Sequence, residues 1–474
     1  MNSRLPLLLL TVLANAGCTV GPEPRVPSPE SLGVPAQFHA SSVPTNTTHA
    51  AVADWWDTFD DPVLSRLVEQ ALAANTNIDA AGARVRQARA ALEGTRAGWW
   101  PTLDFGASAS RLMGVGSKAR VPDRTTYDAG FDARYELDLF GGQRRAVQAS
   151  MADLATVEAN LHSTQLTVAA EVALNYVDAR LAQRQLAIAR ANLSAQDETL
   201  QIVQWRVQAG LVGTLDLEQA RQLRAQTAAT VPLREQALSS ALNRLSVLTG
   251  KAPGDVDAMF QPATPIPMAF AAGIAVPAAM LRRRPDVTAA ERTLIAETAR
   301  IGVREADLYP ALGLAGSLSG NSSNWGDLTS AAFGSLAAGL TAPIFQGGRL
   351  RAAVEQQRAA AIQSLAVYRD TVLVALEEAE NALVAISVTE QRERELAVAE
   401  EAARNAAALA RSQYQAGVID FSSLLDAERS LLATETSRAT AHADRAAATV
   451  QLYKALGGGW ENAPPPRSLT STFP

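Results

Sequence analysis

The feature that most constrains the fold of this chain is an internal repeat. Four short landmarks of the first half recur in the second half, in the same order and at an offset of about 207 residues. The paired landmarks are Gly98–Leu103 with Asp307–Leu312, Leu137–Arg144 with Ala342–Arg349, Gln208–Gly210 with Gln415–Gly417, and Leu248–Gly250 with Ala455–Gly457. Four ordered matches at a nearly constant spacing are hard to obtain by chance. The chain is therefore predicted to be two copies of one unit, whereas its length of 474 residues alone would suggest three domains.

Each copy reads as helix, strand, strand, long helix and return helix. We assign the first repeat to residues 61–250, a linker to 251–274 and the second repeat to 275–457. The predicted strands span about 102–112, 126–140, 311–320 and 331–345, the long helices 143–209 and 348–416, and the return helices 214–249 and 421–456. Asp61 and Pro62 suit the cap and the first position of an opening helix that runs to about Gly98.

The strands show a strict period of two. From Tyr127 to Leu139 the odd positions are apolar or aromatic, and the even positions carry charged residues or glycine. Such strands are long enough to cross a bilayer when tilted, and an apolar face opposite a charged face suits lipid outside and water inside. An amphipathic sheet in a soluble sandwich is the alternative. Four strands cannot close a barrel in lipid, so spanning strands require several chains, and a conducting pore favours three or more.

The segment from Gln143 to Ala209 contains no proline and reads as one helix of about 100 Å. It carries two rows of small or apolar residues with seven-residue spacing, one starting at Val172 and the other at Leu174. The two rows lie on nearly opposite sides of the helix, which predicts a supercoiled neighbour on each side. A ring of helices around a lumen satisfies this pattern. A helix buried inside a multi-helix bundle is the alternative.

The first residues read as an export signal. Residues 1–17 contain Arg4, a short apolar run and small residues, and the only cysteine of the chain, Cys18, follows directly. This arrangement predicts a bacterial lipoprotein with the lipid on Cys18, although Asn15 stands where leucine is usual. An ordinary cleaved signal is the alternative. Residues 18–60 are predicted to be a lipid-anchored, proline-rich N-terminal segment, in which residues 20–50 form an extended tether, and residues 458–474 are a loose C-terminal tail.

Composition and motifs exclude several function classes. A net charge of −6 without a basic patch argues against a nucleic-acid partner, and past residue 20 no apolar run is long enough for a transmembrane helix. One cysteine and four dispersed histidines form no metal-ligand pattern, and no phosphate-binding loop or nucleophile motif is present. The pairs Glu377-Glu378 and Glu400-Glu401 are interpreted as solvated helix faces. We therefore expect neither an enzyme nor a cofactor, apart from a covalent lipid.

Several longer runs resemble the TolC-type outer-membrane efflux ducts, in particular the lipoprotein branch that serves resistance-nodulation-division (RND) drug pumps. These runs are Trp55–Pro62, Ala83–Ala88, Arg282–Val287 and Tyr453–Trp460. The resemblance implies a mainly α fold with a membrane β-barrel, in which a homotrimer forms a twelve-stranded barrel continued by a twelve-helix periplasmic α-barrel. It also implies the outer membrane of a Gram-negative bacterium as location, and a periplasmic adaptor and an inner-membrane RND pump as partners.

The resemblance also implies site residues. The segment Tyr414–Arg429 looks like the inner hairpin turn, so the candidate periplasmic gate comprises Asp426, Arg429, Tyr414 and Asp420. The candidate tip positions for adaptor contact are Gly210, Asp216, Glu218, Arg221 and Gly417. Two positions depart from the family pattern: Ser422 stands where a bulky apolar residue is common, and Ser423 where some members carry a second gate carboxylate. Both departures predict a weaker or wider gate.

The resulting hypothesis is a passive exit duct for drugs or other small toxic solutes. An alternative is an outer-membrane duct for type I protein secretion or for another exporter. A third hypothesis, from a different class, is a periplasmic coiled-coil scaffold held to the membrane only by its lipid.

Overall fold

The computed structural model describes residues 19–28, 30–39, 53–114, 122–269, 277–330 and 332–467. The chain divides into two compact units. The sheet unit comprises Met1–Pro27, Val85–Val157 and Ala289–Arg369, and the hairpin unit comprises Ser28–Arg84, Glu158–Thr288 and Asp370–Pro474. The predicted signal peptide and Cys18 lie outside the described residues. Among those that are described, no helix combines the length and apolar character needed to cross a membrane.

The same order of elements occurs twice along the chain. In the first repeat the elements are α1 (Pro62–Ala74), α2 (Thr76–Ala97), β1 (Thr102–Leu112), β2 (Arg124–Leu137), α3 (Gly142–Gln208) and α4 (Thr214–Leu248). In the second they are α5 (Pro277–Arg283), α6 (Pro285–Ala306), β3 (Ala311–Ser322), β4 (Ala332–Thr341), α7 (Arg349–Gln415) and α8 (Phe421–Ala455). The long helices α3 and α7 have 67 residues each, and the return helices α4 and α8 have 35 each.

The sheet unit is built on one four-stranded antiparallel sheet in the order β1-β2-β3-β4. Phe105, Phe131 and Leu318 share one row of the register, and the two phenylalanine rings lie 5.1 Å apart. The next row, on the opposite face, holds Asp104 beside Asp132. The residues that the structure describes leave the apolar face uncovered, since Leu336 on β4 is 88% exposed. Within the described residues, the outer edges of β1 and β4 have no strand partner.

Two strands end earlier than the sequence pattern suggests. The strand expected over 126–140 spans Arg124–Leu137, because the carboxylate of Asp138 already accepts the backbone N–H of Arg144 at 2.9 Å and begins the turn into α3. The strand expected over 331–345 ends at Thr341. Pro343 follows two residues later and lacks the N–H group that a ladder requires.

The opening helix, expected as one element from 61 to 98, is broken in two at Asn75. The Asp61 side chain caps α1 by accepting the backbone N–H of Val63 at 2.9 Å, as expected. Asn75 has an extended backbone, and its side chain donates to the carbonyl of Leu248 at 2.9 Å and accepts the N–H of Asn77 at 2.9 Å. The break therefore depends on the end of α4, which lies far away in sequence.

The two heptad rows of α3 lie in or next to the core of the hairpin unit. Val172 and Ala179 of the first row are fully buried, and Leu174 and Leu181 of the second row are half-buried. The linker packs on the same helix, because the guanidinium of Arg180 stacks 4.6 Å from the ring centre of Phe260.

Candidate gate at the hairpin tips

The two long helices end in the same type of turn. Gly210 and Gly417 adopt left-handed backbone angles, with φ of +70° and +75°. In each turn the residue after the glycine donates its N–H five positions back, and the glycine donates three positions back, which is the Schellman motif. The bonds are Leu211 to Arg206 (2.8 Å), Gly210 to Val207 (3.0 Å), Val418 to Gln413 (2.9 Å) and Gly417 to Tyr414 (3.0 Å). Both glycines are therefore required by the backbone, since other residues resist positive φ.

Asp420 is the N-cap of α8. Its carboxylate accepts the Ser423 hydroxyl at 2.6 Å and the Ser423 backbone N–H at 2.9 Å. These bonds, the hydroxyl first, hold the pKa of Asp420 below its usual range. Ser423, which stands where some family members carry a carboxylate, thus helps to begin the helix. The Asp420 charge is engaged within its own turn.

Tyr414 is buried inside this chain. It is 2% exposed and packs in an apolar cluster with Val203, Ala220, Leu223, Phe421, Leu424 and Leu425. Its ring meets that of Phe421 edge-on with 5.6 Å between centroids. Burial raises the pKa of the Tyr414 hydroxyl above its usual value. Because the cluster joins residues of α3, α4, α7 and α8, Tyr414 ties the two hairpins of one chain together.

Arg206 is a tip residue that the sequence reasoning missed. Its guanidinium lies 4.6 Å from the Tyr414 ring centre and donates to the carbonyl of Gln415 at 3.0 Å. It therefore satisfies one of the free carbonyls at the end of α7 from a different helix. A basic residue in the last turn of α3 was the available signal, but its partner lies in the other repeat.

Of the remaining candidate charges, Asp216 is half-buried, and the other four are exposed and pair weakly within single helices. The side chain of Asp426 is 79% exposed, and its nearest carboxylate oxygen lies 3.9 Å from Nη1 of Arg429. Glu218 and Arg221 form an exposed pair at 2.7 Å on α4, and Asp216 lies in the first turn of the same helix. Exposed pairs of this kind contribute little to stability, so these charges are available to other molecules.

Two carboxylates, Glu428 on α8 and Glu400 on α7, are buried in contacts between these two helices. Glu428 is 4% exposed and accepts the Thr199 hydroxyl at 3.0 Å and Nη2 of Arg411 at 3.2 Å. Glu400 is similarly buried and pairs with Arg438 at 2.7 Å and with Arg404. The assignment of Glu400 to a solvated face is therefore wrong, although its neighbour Glu401 is exposed. Both buried charges need their arginine partners to offset the cost of desolvation.

Within the part of the chain that the structure describes, no group of three His, Cys, Asp or Glu side chains could hold a metal ion.

Paired long helices, tip turns and an amphipathic sheet define an outer-membrane duct. Residues 67–251 and 276–458 match the family model "Outer membrane efflux protein". The chain belongs to this family, and it is an outer-membrane channel component of an efflux system. The two matched segments also coincide with the two repeats.

Similar proteins extend over nearly the whole chain. The pyoverdine export outer membrane protein OpmQ of Pseudomonas putida is 33% identical over 93% of this chain and 96% of its own length. Nodulation protein T of Rhizobium leguminosarum bv. trifolii is also 33% identical, over 94% and 95%. Among solved structures, the outer-membrane channel OprN matches with a TM-score of 0.86 and 35% identity, covering 94% of this chain and all of that one. The expected family, fold class and outer-membrane location are confirmed.

Replacing Glu428 with alanine should destabilise the hairpin unit strongly. The substitution removes the carboxylate that accepts from Arg411 and from the Thr199 hydroxyl, although that hydroxyl can still donate to the carbonyl of Ala195 at 3.1 Å. Because the Arg411 side chain is 34% exposed, the expected loss is about 1–3 kcal/mol, which is less than for a fully buried pair. Glu401→Ala, on the exposed side of the helix that supplies Arg411, should change stability by less than about 0.5 kcal/mol. Thermal unfolding of the two variants in detergent measures the difference, and equal midpoints would contradict the assignment.

Proposed function

We propose that three copies of this chain form a passive exit duct for drugs or other small toxic solutes. In this proposal an inner-membrane RND pump supplies the energy, and a periplasmic adaptor joins the pump to the hairpin tips. The observation that carries the proposal is the four-stranded sheet, which exposes its apolar face and leaves two strand edges unpaired among the described residues.

The edges explain why copies must combine. In lipid every backbone N–H and C=O group needs a protein partner, so an open sheet cannot remain there. The strands β1 and β4 run in opposite directions, so β1 of one copy can pair antiparallel with β4 of the next. Repeating this pairing from copy to copy closes a ring. Two copies would give a barrel of about eight strands, which side chains fill, whereas three give about twelve and leave a lumen. Three copies also supply six hairpins for a helical wall.

The names of several relatives support small solutes as cargo. The matches include a toluene efflux pump outer membrane protein and a solvent efflux pump outer membrane protein, both of Pseudomonas putida, at 28% and 31% identity. A duct for protein secretion remains the competing proposal. A scaffold held only by lipid is disfavoured, because its sheet would have no reason to present an uncovered apolar face.

The proposal includes removal of residues 1–17 and lipidation of Cys18. It rests on the short apolar run, the small residues before Cys18 and the fact that this is the sole cysteine.

Deletion of the gene should sensitise its host to several unrelated small toxic compounds. Minimum inhibitory concentrations, measured for the deletion strain with and without a plasmid copy, test this directly. Normal susceptibility together with loss of one secreted protein from the medium would instead establish the secretion duct.

The membrane position of the sheet can be tested on one strand. Phe131→Arg places a charge on the apolar face of β2 and should cost about 2–4 kcal/mol if that face meets lipid at mid-depth. Asp132→Arg is the matched control, since its side chain lies on the polar face one residue away. Urea unfolding from lipid vesicles compares the two variants. An unaffected Phe131→Arg variant would place the sheet outside the membrane.

The gate assignment can be tested at Asp426. Its largely exposed carboxylate is proposed to pair across copies at the aperture, while Asp420 is already engaged as a helix cap. An exposed ion pair contributes about 0.2–1 kcal/mol, so Asp426→Ala should raise the open probability in planar bilayers by about 1.4- to 5-fold for each pair lost, with one pair per copy. Glu377→Ala, at an exposed carboxylate on α7, is the control. Unchanged gating in Asp426→Ala would remove this residue from the gate.

A further inference from the structure

The first described residues of the chain dock in a groove of the sheet unit. Val20 donates its N–H to the carbonyl of Phe140 at 3.0 Å, at the junction of β2 and α3. Arg145, which is 6% exposed, donates from Nε to the carbonyl of Val20 at 3.3 Å and from Nη2 to that of Gly21 at 3.2 Å. These three hydrogen bonds hold Val20 and Gly21, and a fourth, from Nη1 of Arg144 to the Thr19 hydroxyl at 3.0 Å, holds the residue before them.

Three glycines make this close approach possible. A Cβ atom on Gly21, whose φ is +89°, would lie 2.4 Å from Cα of Gly302. A Cβ atom on Gly302 would lie 2.9 Å from the carbonyl oxygen of Val20, and one on Gly141 would lie 2.8 Å from Cγ2 of Thr19. No side chain fits at these positions without displacing the segment. The groove is thus shaped for a backbone.

The internal repeat provides a comparison within the same chain. Aligning Phe140 with Phe345 places Gln346 opposite Gly141 and Leu350 opposite Arg145. The glycines of this second junction, Gly347 and Gly348, have open space around the Cβ position. Neither the buried arginine nor the glycine contact occurs at the second junction, so the groove belongs specifically to the junction that receives residues 19–21.

We propose that this groove is the docking site of the mature N-terminus, which fixes the lipid-bearing residue Cys18 beside the junction of β2 and α3. The inference rests on the proposed lipidation. Because Cys18 directly precedes Thr19, the acyl chains are attached one residue from the docked segment. The sequence suggests that the proline-rich stretch is a spacer between the lipid and the folded protein. In this proposal it is not, because the docked residues precede that stretch. The lipid is a fixed anchor on the sheet unit, and Arg145 is its positioning residue.

Hydrogen exchange on the purified, lipidated full chain tests the docking. In Arg145→Ala the Val20 amide should exchange about tenfold faster or more, because the segment Thr19–Gly21 loses two of its four hydrogen bonds. Arg349→Ala is the matched control, since this exposed arginine begins the helix at the second junction. Gly302→Val, whose side chain would overlap both the Val20 carbonyl oxygen and Cγ of Arg145, should give the same result as Arg145→Ala. Unchanged protection in Arg145→Ala overturns the docking site.

A spin label at Glu23→Cys tests whether the anchor itself is restrained. Glu23 is exposed, and lipidation would occupy the only native thiol, so the introduced cysteine is labelled alone. The label should become more mobile in Arg145→Ala and stay unchanged in Arg349→Ala, and equal mobility in both overturns the anchor role.

The mass of the peptide Cys18–Arg25 separates the proposal of lipidation from the proposal of docking. An unmodified wild-type peptide refutes lipidation, while the exchange of Val20 still reports on the docking.

Discussion

The rest of this structure depends on one constraint, which is that the backbone N–H and C=O groups on the outer edges of the sheet need hydrogen-bond partners. A four-stranded sheet cannot satisfy its two outer edges by itself, and lipid offers no partner for backbone polar groups. Nothing among the described residues covers its apolar face, as the exposure of Leu336 shows. Duplication of one unit supplies two hairpins along with these strands. The described part of the chain thus leaves one sheet face and two strand edges open, and pairing with further copies, as proposed above, would cover them.

The elements that follow from local periodicity were predictable, and their ends were not. Period-two alternation locates β2, and seven-residue rows locate α3, because each pattern reflects a face that a regular element must bury. The break at Asn75 escaped prediction because its amide bonds the carbonyl of Leu248, 173 positions away. The end of β2 likewise depends on Asp138 accepting an N–H from the first turn of α3. Ends are decided by such caps rather than by hydrophobic patterning.

The sequence predicts where the tip turns lie, but it does not predict which charged side chains there are buried, paired or exposed. The glycine turns mark the tips from sequence alone, since the helices must end where positive φ is needed. Which charges are free there depends on contacts between repeats. Glu400 and Glu401 are neighbours in sequence, yet one is buried against arginines and the other faces solvent. Arg206 finds its partner at Gln415, in the other half of the chain, and no single-helix pattern contains that information.

At the tips, buried residues hold the two hairpins of one chain together, whereas other residues present exposed charges. Tyr414, Phe421 and Arg206 join the two hairpins of one chain through burial and a carbonyl cap. Asp420 is engaged with Ser423, so it cannot also serve as a free charge without uncapping α8. Asp426 and Arg429 lie exposed on the same helix, one turn apart. In the proposed gate Asp426 and Arg429 are therefore the exposed charges that α8 offers, and serine at position 423 leaves one carboxylate fewer on this helix.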